Sequence, residues 1–503
     1  MIRWLCLIVA AAITAGSFEP SGASAELPDM LMSSAEMAER LERLADADPR
    51  FALETIGQSV EGKPLWAVRV TPEARMAIRW KVLLIGGQHG DEHAGKEAIL
   101  ELLADIASGE ESLPPGVELW AVPMANPDGV DRDERRNANG FDLNRDHLIL
   151  SQPETIALHK LVQRERPHAI VDCHEFTRDS TSYTDKGWGE WPLIMMDGAN
   201  NPVLPNATLS PVRHWVDAPR EAMKAAGFNY RRYTVGGPPP DQELRFSTLD
   251  PDDARNGLSF YGGLGFIIES GIKRAAEDPQ ANLATRVEAY RLLLRLFVDN
   301  EELQNRTLAS LAADRWPGHW EAEADRIPTN AFWARAMRGS PTYPVLDLDT
   351  GQTLEVPALN LMNIVVYKRL VTRPLGYAVL PERAAAYRSL LDMHAVTYKL
   401  LEGPRLVSAE LAKLERVEED FDPIYERYGG RQIVRVEADG GYELPGGSLW
   451  IDLAELAESE PMMARRAIKV LEPQQLYGLY QWPAWRATVS EDGAIPVVRV
   501  LSD

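Results

Sequence analysis

Four short runs constrain this chain more than anything else in its 503 residues. "WKVLLIGG", "VELWAVPMANPDG", "HAIVDCHE" and "GLGFIIES" are nearly unbroken apolar stretches that close on glycines, a turn or a charged group. A strand with one wet face alternates apolar with polar residues, whereas an unbroken run of this length is a strand covered on both faces. Between them lie "AGKEAILELLADIASG", with apolar residues at helical spacing up to Gly109, and "SQPETIALHKLVQRERP", a helical pattern halted by Pro167. "ANLATRVEAYRLLLRLFVDNEEL" reads as one long amphipathic helix. Buried strands alternating with helices predict an α/β domain over roughly residues 30–300.

Past about residue 305 the pattern changes to short strands separated by turns, such as "TYPVLDLDTG", "NIVVYKRLV" and "RQIVRVEADGGYELPGGSLWIDL". Helical stretches are interspersed. A smaller, β-rich α+β region of unassigned role is expected over 305–503, behind a main domain at 26–304. The first 25 residues read as a secretory signal peptide. Arg3 precedes the apolar run Trp4–Ala15, and Ala23-Ser24-Ala25 fits small-residue cleavage before Glu26. Export to the periplasm or the medium is therefore expected. That apolar run is too short to span a bilayer, so no membrane anchor is expected.

The formal net charge is −22, and loss of residues 1–25 removes one charge of each sign. So acidic a chain disfavours nucleic acid and anionic lipid as partners. Without Cys6, Cys173 is the one remaining cysteine, so no internal disulfide is expected.

"IGGQHGDEHAG" holds several metal-ligating side chains in a few positions. His89 and His93 at i, i+4, with Glu92 as base, would need one continuous helix. Gly90 interrupts it, at a cost of about 1 kcal/mol relative to alanine in a helix interior. The helix more reasonably starts near Glu92 or His93, which leaves His89 and Glu92 on a strand-to-helix turn. In an open α/β sheet that edge is where ligands bind. His89 and Glu92 are thus expected as paired ligands and His93 as a bystander. His174, on the strand end "IVDCHEF", is the expected third ligand. Cys173 then points to the opposite face, into packing. Two imidazoles and one carboxylate leave a position open, the composition of a catalytic zinc centre. Glu269, ending the apolar strand "GLGFIIESG", is the candidate base, since an idle carboxylate there would be costly. "DERRNANGFDLNRDH" gathers Arg135, Arg136, Asn137, Asn144 and Arg145, a local cationic feature suited to a carboxylate.

"HGDE", "NPDG", "RRNANGFDLNRD", "DCHE" and "FIIES", in this order, resemble the zinc carboxypeptidases related to carboxypeptidase A, the funnelins, in a bacterial exported form. The resemblance covers about residues 30–300. It implies a mixed, largely parallel eight-stranded sheet between helices, and one Zn2+ per chain held by His89, Glu92 and His174. Glu269 matches the catalytic glutamate and Arg135 the arginine that polarises the scissile carbonyl. Asn144 and Arg145 match the pair that grips a terminal carboxylate. Asp142 matches the acid that orients the first histidine, a role with clear physical sense. Tyr261 is the candidate substrate-capping phenol, and Arg255 or Arg245 the candidates for lining a side-chain pocket that favours acidic residues.

The implied activity is hydrolysis of the last amide bond of a peptide bearing a free C-terminal carboxylate, by a metal-activated water with Glu269 as general base. The alternative is a zinc amidase of the same fold acting on cell-wall peptides or acylated amino acids. A non-catalytic binding protein of this fold would have lost a ligand or the glutamate, and all four are present.

Overall fold

The computed structural model describes residues 31–502, apart from 74–75, 273–277, 315–325, 337–338, 340, 416–420, 423–426, 429–432 and 476–477. The expected signal segment lies outside the described residues. The apolar runs become strands: β1 Phe51–Gln58, β2 Pro64–Val70, β3 Trp80–Ile85, β4 Val117–Val122, β5 Ala169–Thr177, β6 Ile194–Gly198, β7 Tyr230–Arg232 and β8 Leu264–Ile272. They form one eight-stranded sheet in the order β1-β2-β4-β3-β5-β8-β6-β7. β4, β3, β5 and β8 run parallel at its centre, while β1, β2 and β6 enter antiparallel to their inner neighbours.

β3 shows why its sequence has no polar alternation. Val82 and Leu84 point into the core beneath helix α1 (Ala94–Ser108), while Leu83 and Ile85 point into a second core against helix α2 (Pro153–Glu165). All four side chains are at most 1 % exposed. Each contributes about 1.5–3 kcal/mol through burial, and a polar residue on either face would forfeit this. The expected doubly covered strands are therefore present, and the fold is the mixed, helix-flanked sheet the motifs imply. Helix α3 (Ala254–Ser259) packs beside α2, and helix α4 (Pro279–Asp299) beside α1.

One expected helix is two. The periodicity of "ANLATRVEAYRLLLRLFVDNEEL" runs on without a break, but α4 stops at Asp299. Asn300, with a non-helical backbone, caps a separate helix Glu301–Ala312 by accepting from Leu303 N–H at 3.0 Å. Asparagine is among the strongest N-caps, and here that local preference ends the helix although the apolar spacing continues.

Among the described residues, those after 304 add four further sheets, two of which incorporate strands from before it and one of which is the short pair Phe421–Asp422 and Arg427–Tyr428. Thr342–Asp347 pairs with Trp188–Glu190, and Leu361–Thr372 pairs with Leu244–Phe246. A separate six-stranded sheet, bounded by Lys399–Leu400 and Ile433–Leu444, carries helix α5 (Pro461–Leu471) on its inner side. Among the described residues no helix is long and apolar enough to cross a membrane.

Candidate metal centre

The turn between β3 and α1 takes its shape from backbone contact. A Cβ on Gly90 would fall 2.0 Å from the Gly129 carbonyl carbon, so the "HGDE" turn lies flat on the "NPDG" turn. Asn126 holds that second turn by accepting from Gly129 N–H at 2.9 Å. α1 begins at Ala94 with His93 as its N-cap residue. His89 and Glu92 thus precede the helix, and the helical arrangement with His93 as ligand is excluded. The His93 ring turns outward to Asp133, 2.8 Å away.

His174 arrives on β5. The neighbouring Cys173 faces the other way, onto α1, where a Cβ on Gly95 would lie 2.4 Å from its own Cβ. Small residues at both positions let strand and helix close up, and the thiol is buried and free. His89, Glu92 and His174 then offer donor atoms within 4.8 Å of one another. Glu92 Oε1 lies 2.7 Å from His89 Nδ1 and its Oε2 lies 2.9 Å from His174 Nδ1. The two Nδ1 atoms are 3.0 Å apart.

The far side of each ring explains this convergence. His89 Nε2 is 3.1 Å from Asp142 and His174 Nε2 is 2.6 Å from Asp172. Each carboxylate accepts a hydrogen bond from Nε2–H, which in the neutral ring leaves the Nδ1 lone pair facing inward. Arg135 Nη1 lies 3.0 Å from His89 Nδ1 at the edge of this cluster, and two imidazole nitrogens 3.0 Å apart beside a carboxylate make a donor set that could hold a divalent cation. The carboxylates around the cluster make it favour positive charge. Burial works against an imidazolium at His174, yet Asp172 and Glu92 outweigh it and pull its pKa well up. Burial works to raise Glu92, but His89 and His174 hold its carboxyl well below the usual range. Nitrogen, nitrogen and carboxylate oxygen in a buried cluster fit zinc.

Glu269 on β8 is the register partner of His174 on β5, so the two side chains emerge next to each other from one face. Burial raises Glu269 to about 7, against His174 and a hydrogen bond from the Tyr233 hydroxyl. Arg135 lies against the ligand set: Nη1 is 3.1 Å from Glu92 Oε1, and Nη2 donates to Asp142 at 2.9 Å. Asn144 follows Asp142, whose side chain accepts from the Asn144 N–H at 3.0 Å. Asn144 Oδ1 accepts from Ala254 N–H at 2.8 Å. Its Nδ2 is 3.2 Å from His174 Nε2, beside the metal-ligand cluster. Arg145 bends back so that Nη1 reaches the Asn144 carbonyl at 2.7 Å, and its charge is felt at the Tyr233 hydroxyl.

Two expected placements are corrected. Tyr261 is not at the ligand set. It is buried behind α2, where its hydroxyl lies 2.8 Å from His159 Nδ1 and 3.1 Å from Gln163. The phenol beside Glu269 is Tyr233, just past the edge strand β7. Arg255 does not line an open pocket either. It is 1 % exposed and tied to Asp253 at 2.7 Å and the Thr248 carbonyl at 2.6 Å. Arg245 does act electrostatically on Tyr233.

Three supporting residues went unforeseen. Asp172 had a usable signal, because two residues along a strand share a face. Glu175 points with Cys173 and caps α1, accepting from His93 and Ala94 N–H at 3.0 and 3.2 Å. Tyr290, on α4, donates to the His174 carbonyl and approaches that of Ile268 at 3.0 Å, clamping β5 to β8.

Residues 37–185 match the zinc carboxypeptidase family model. Carboxypeptidase 2 of Trichophyton equinum is 40% identical over 250 residues, 48% of this chain and 46% of that protein. Carboxypeptidase 2 of Trichophyton rubrum is 35% identical over 280 residues, 53% and 52% of the two chains. The chain thus spans about half the length of the curated relatives it matches. A metallo-carboxypeptidase crystal structure from Burkholderia cenocepacia is 22% identical, with a TM-score of 0.42 over 54% of this chain and 70% of that one. The segment that matches the zinc carboxypeptidase family model, residues 37–185, carries His89, Glu92, Asp142 and His174.

Proposed function

We propose that this protein is a zinc metallocarboxypeptidase that removes the terminal residue of a peptide with a free C-terminal carboxylate. The observation that carries this reading is the convergence of His89, Glu92 and His174, with Glu269 in register beside them. His89, Glu92 and His174 would hold one zinc ion, which when bound would polarise the scissile carbonyl and acidify a water.

The remaining roles fall to the chain's own side chains. Glu269, buried and raised to about 7, takes the proton of the attacking water and passes it to the leaving amine nitrogen. Arg135, the cation nearest the ligand set, stabilises the oxyanion. Asn144 and Arg145 receive the substrate's carboxylate, which restricts cleavage to the last bond. Tyr233, hydrogen-bonded to Glu269, closes the same face.

The test is metal analysis together with hydrolysis of an N-blocked dipeptide and of its C-terminal amide. One zinc per chain and cleavage of the free acid alone are expected. Equal cleavage of both substrates would instead mark an amidase with no need for the carboxylate, and the absence of zinc would remove the reading altogether.

A further inference from the structure

The turn that carries Asn144 and Arg145 is held from outside by side chains far along the chain. Lys469, on α5, is 1 % exposed. Its Nζ donates to the His147 carbonyl at 2.7 Å and lies 3.3 Å from the Gly257 carbonyl. His394 Nε2 is 2.9 Å from the Leu148 carbonyl, and Arg466 Nη1 donates to the Phe260 carbonyl at 3.1 Å. Three side chains from beyond residue 390 therefore take backbone carbonyls of two segments, 147–148 and 257–260. Asn144, three residues before the first segment, accepts from Ala254 N–H, three residues before the second.

His147 is itself built in. Burial holds its ring neutral, down to about 3, and holds His159 well below its ordinary value. One consistent set of tautomers follows. The Tyr261 hydroxyl donates to His159 Nδ1, His159 Nε2–H to His147 Nδ1 at 3.1 Å, and His147 Nε2–H to Gln88 Oε1 at 3.0 Å. Gln88 immediately precedes the ligand His89. The turn is thus fixed to the metal side by Asp142 and His147, and to the carboxy-terminal layer by Lys469. Close approach demands Gly257, where a Cβ would fall 2.6 Å from the His147 Cβ. An ammonium buried on two uncharged acceptors is costly, and burial pushes Lys469 down to about 7.

We infer that Lys469 is a positioning residue. It pins the backbone of His147 to that of Gly257, so that Asn144 and Arg145 stand at a set distance from the ligand set. This inference rests on the proposed role of Asn144 and Arg145 as the carboxylate grip, and it gives the region after residue 304 a part in substrate binding.

The test uses the full chain with Lys469→Met, which keeps the apolar stem. Hydrogen exchange at the amides of 143–150 and 254–258 is expected to quicken about tenfold over that of α1, with zinc content unchanged. KM for the free-acid dipeptide is expected to rise about tenfold with kcat within about threefold, the mark of lost substrate binding. Lys469→Arg, which restores a donor, should recover part of both effects. Leu456→Ala, a core truncation in the same layer, should lower Tm without moving KM. Gly257→Ala, which wedges the same junction and keeps the lysine, is read in the same way should Lys469→Met not fold. Wild-type exchange and KM in Lys469→Met, or in Gly257→Ala where that replaces it, would overturn the inference. So would an equal KM rise in Leu456→Ala. If the wild type does not need the carboxylate, the grip reading falls, and the exchange measurement still decides whether Lys469 pins the turn.

Discussion

Asp172 and His174 stand two residues apart on one strand, and Asp172 Oδ2 lies 2.6 Å from His174 Nε2. Strand alternation puts both side chains on one face, so the carboxylate fixes the ring's tautomer and turns Nδ1 toward Glu92. Asp172→Asn keeps the shape but can present an amide N–H to Nε2, which rewards the opposite tautomer and places a proton on the ligating nitrogen. Zinc affinity is expected to drop roughly 10- to 100-fold, the usual range for partners behind a ligand. Competition with a graded series of chelators measures it, and unchanged affinity would show that the ring is oriented by something else.

Glu269→Gln tests the chemistry apart from the metal. The side chain emerges beside His174 but outside the trio of donors, so zinc should remain at one per chain. Loss of a general base removes about 100- to 10,000-fold in kcat. Turnover close to wild type in the zinc-loaded variant would dismiss Glu269 as the base.

The acid side of stability should show the tie between α2 and α5. Glu460 binds Arg166, just past α2, at 2.7 Å, and Arg466 at 2.8 Å. Burial works to raise its carboxyl, but hydrogen bonds from Arg466 and then Arg166 outweigh that and lower it to about 2. A depressed carboxylate contributes stability that is complete above its unfolded value near 4.5 and is lost as pH falls toward the folded value. Between pH 6 and pH 3.5 the stability gap between wild type and Glu460→Gln should therefore narrow by about 1 kcal/mol. This figure is discounted because Arg166 is partly exposed. Urea unfolding at the two pH values reads it directly, and parallel losses in both proteins would contradict the shift.

Whether a feature could be read from the sequence depended on how far its partner lay along the chain. His89, Glu92 and His174 were legible because their segments have local signatures: a glycine turn after a buried strand, and a charged strand end. Gly90 carried the decision between ligand sets, since a glycine there argues against helix, and the structure adds that only glycine fits against Gly129. Tyr233 was invisible because only the sheet order, with β6 and β7 beyond β8, brings it to Glu269. Tyr261 misled for the opposite reason. It is near Glu269 in sequence, but β8 carries the chain away from that tyrosine before the glutamate is reached. Lys469, His394 and Arg466 act on carbonyls, which leave no trace in a residue pattern.

Gly90→Ala is the sharpest test of the turn that sets the ligands. The added methyl would meet the Gly129 carbonyl carbon at 2.0 Å, its oxygen at 2.3 Å and the Glu134 carbonyl oxygen at 2.4 Å. All three are backbone atoms, so no side chain can swing aside. Overpacking of this kind costs about 1–3 kcal/mol when it is absorbed by backbone shifts. Asn126 ties both turns, through the Gly129 N–H at 2.9 Å and the Gln88 carbonyl at 3.2 Å, so a wedge at Gly90 shifts the backbone that carries His89 and Glu92 along with its neighbour. The variant is expected to fold with a lower Tm and to bind zinc at least about tenfold more weakly, since small displacements disorganise a preformed donor set. Gly109→Ala is the matched control. Gly109 has φ +82° with open space around its Cβ position, so alanine there strains the backbone far from the ligands and should lower Tm while leaving zinc affinity intact. Equal zinc affinity in the two variants would mean that the His89–Glu92 turn does not depend on its contact with Gly129.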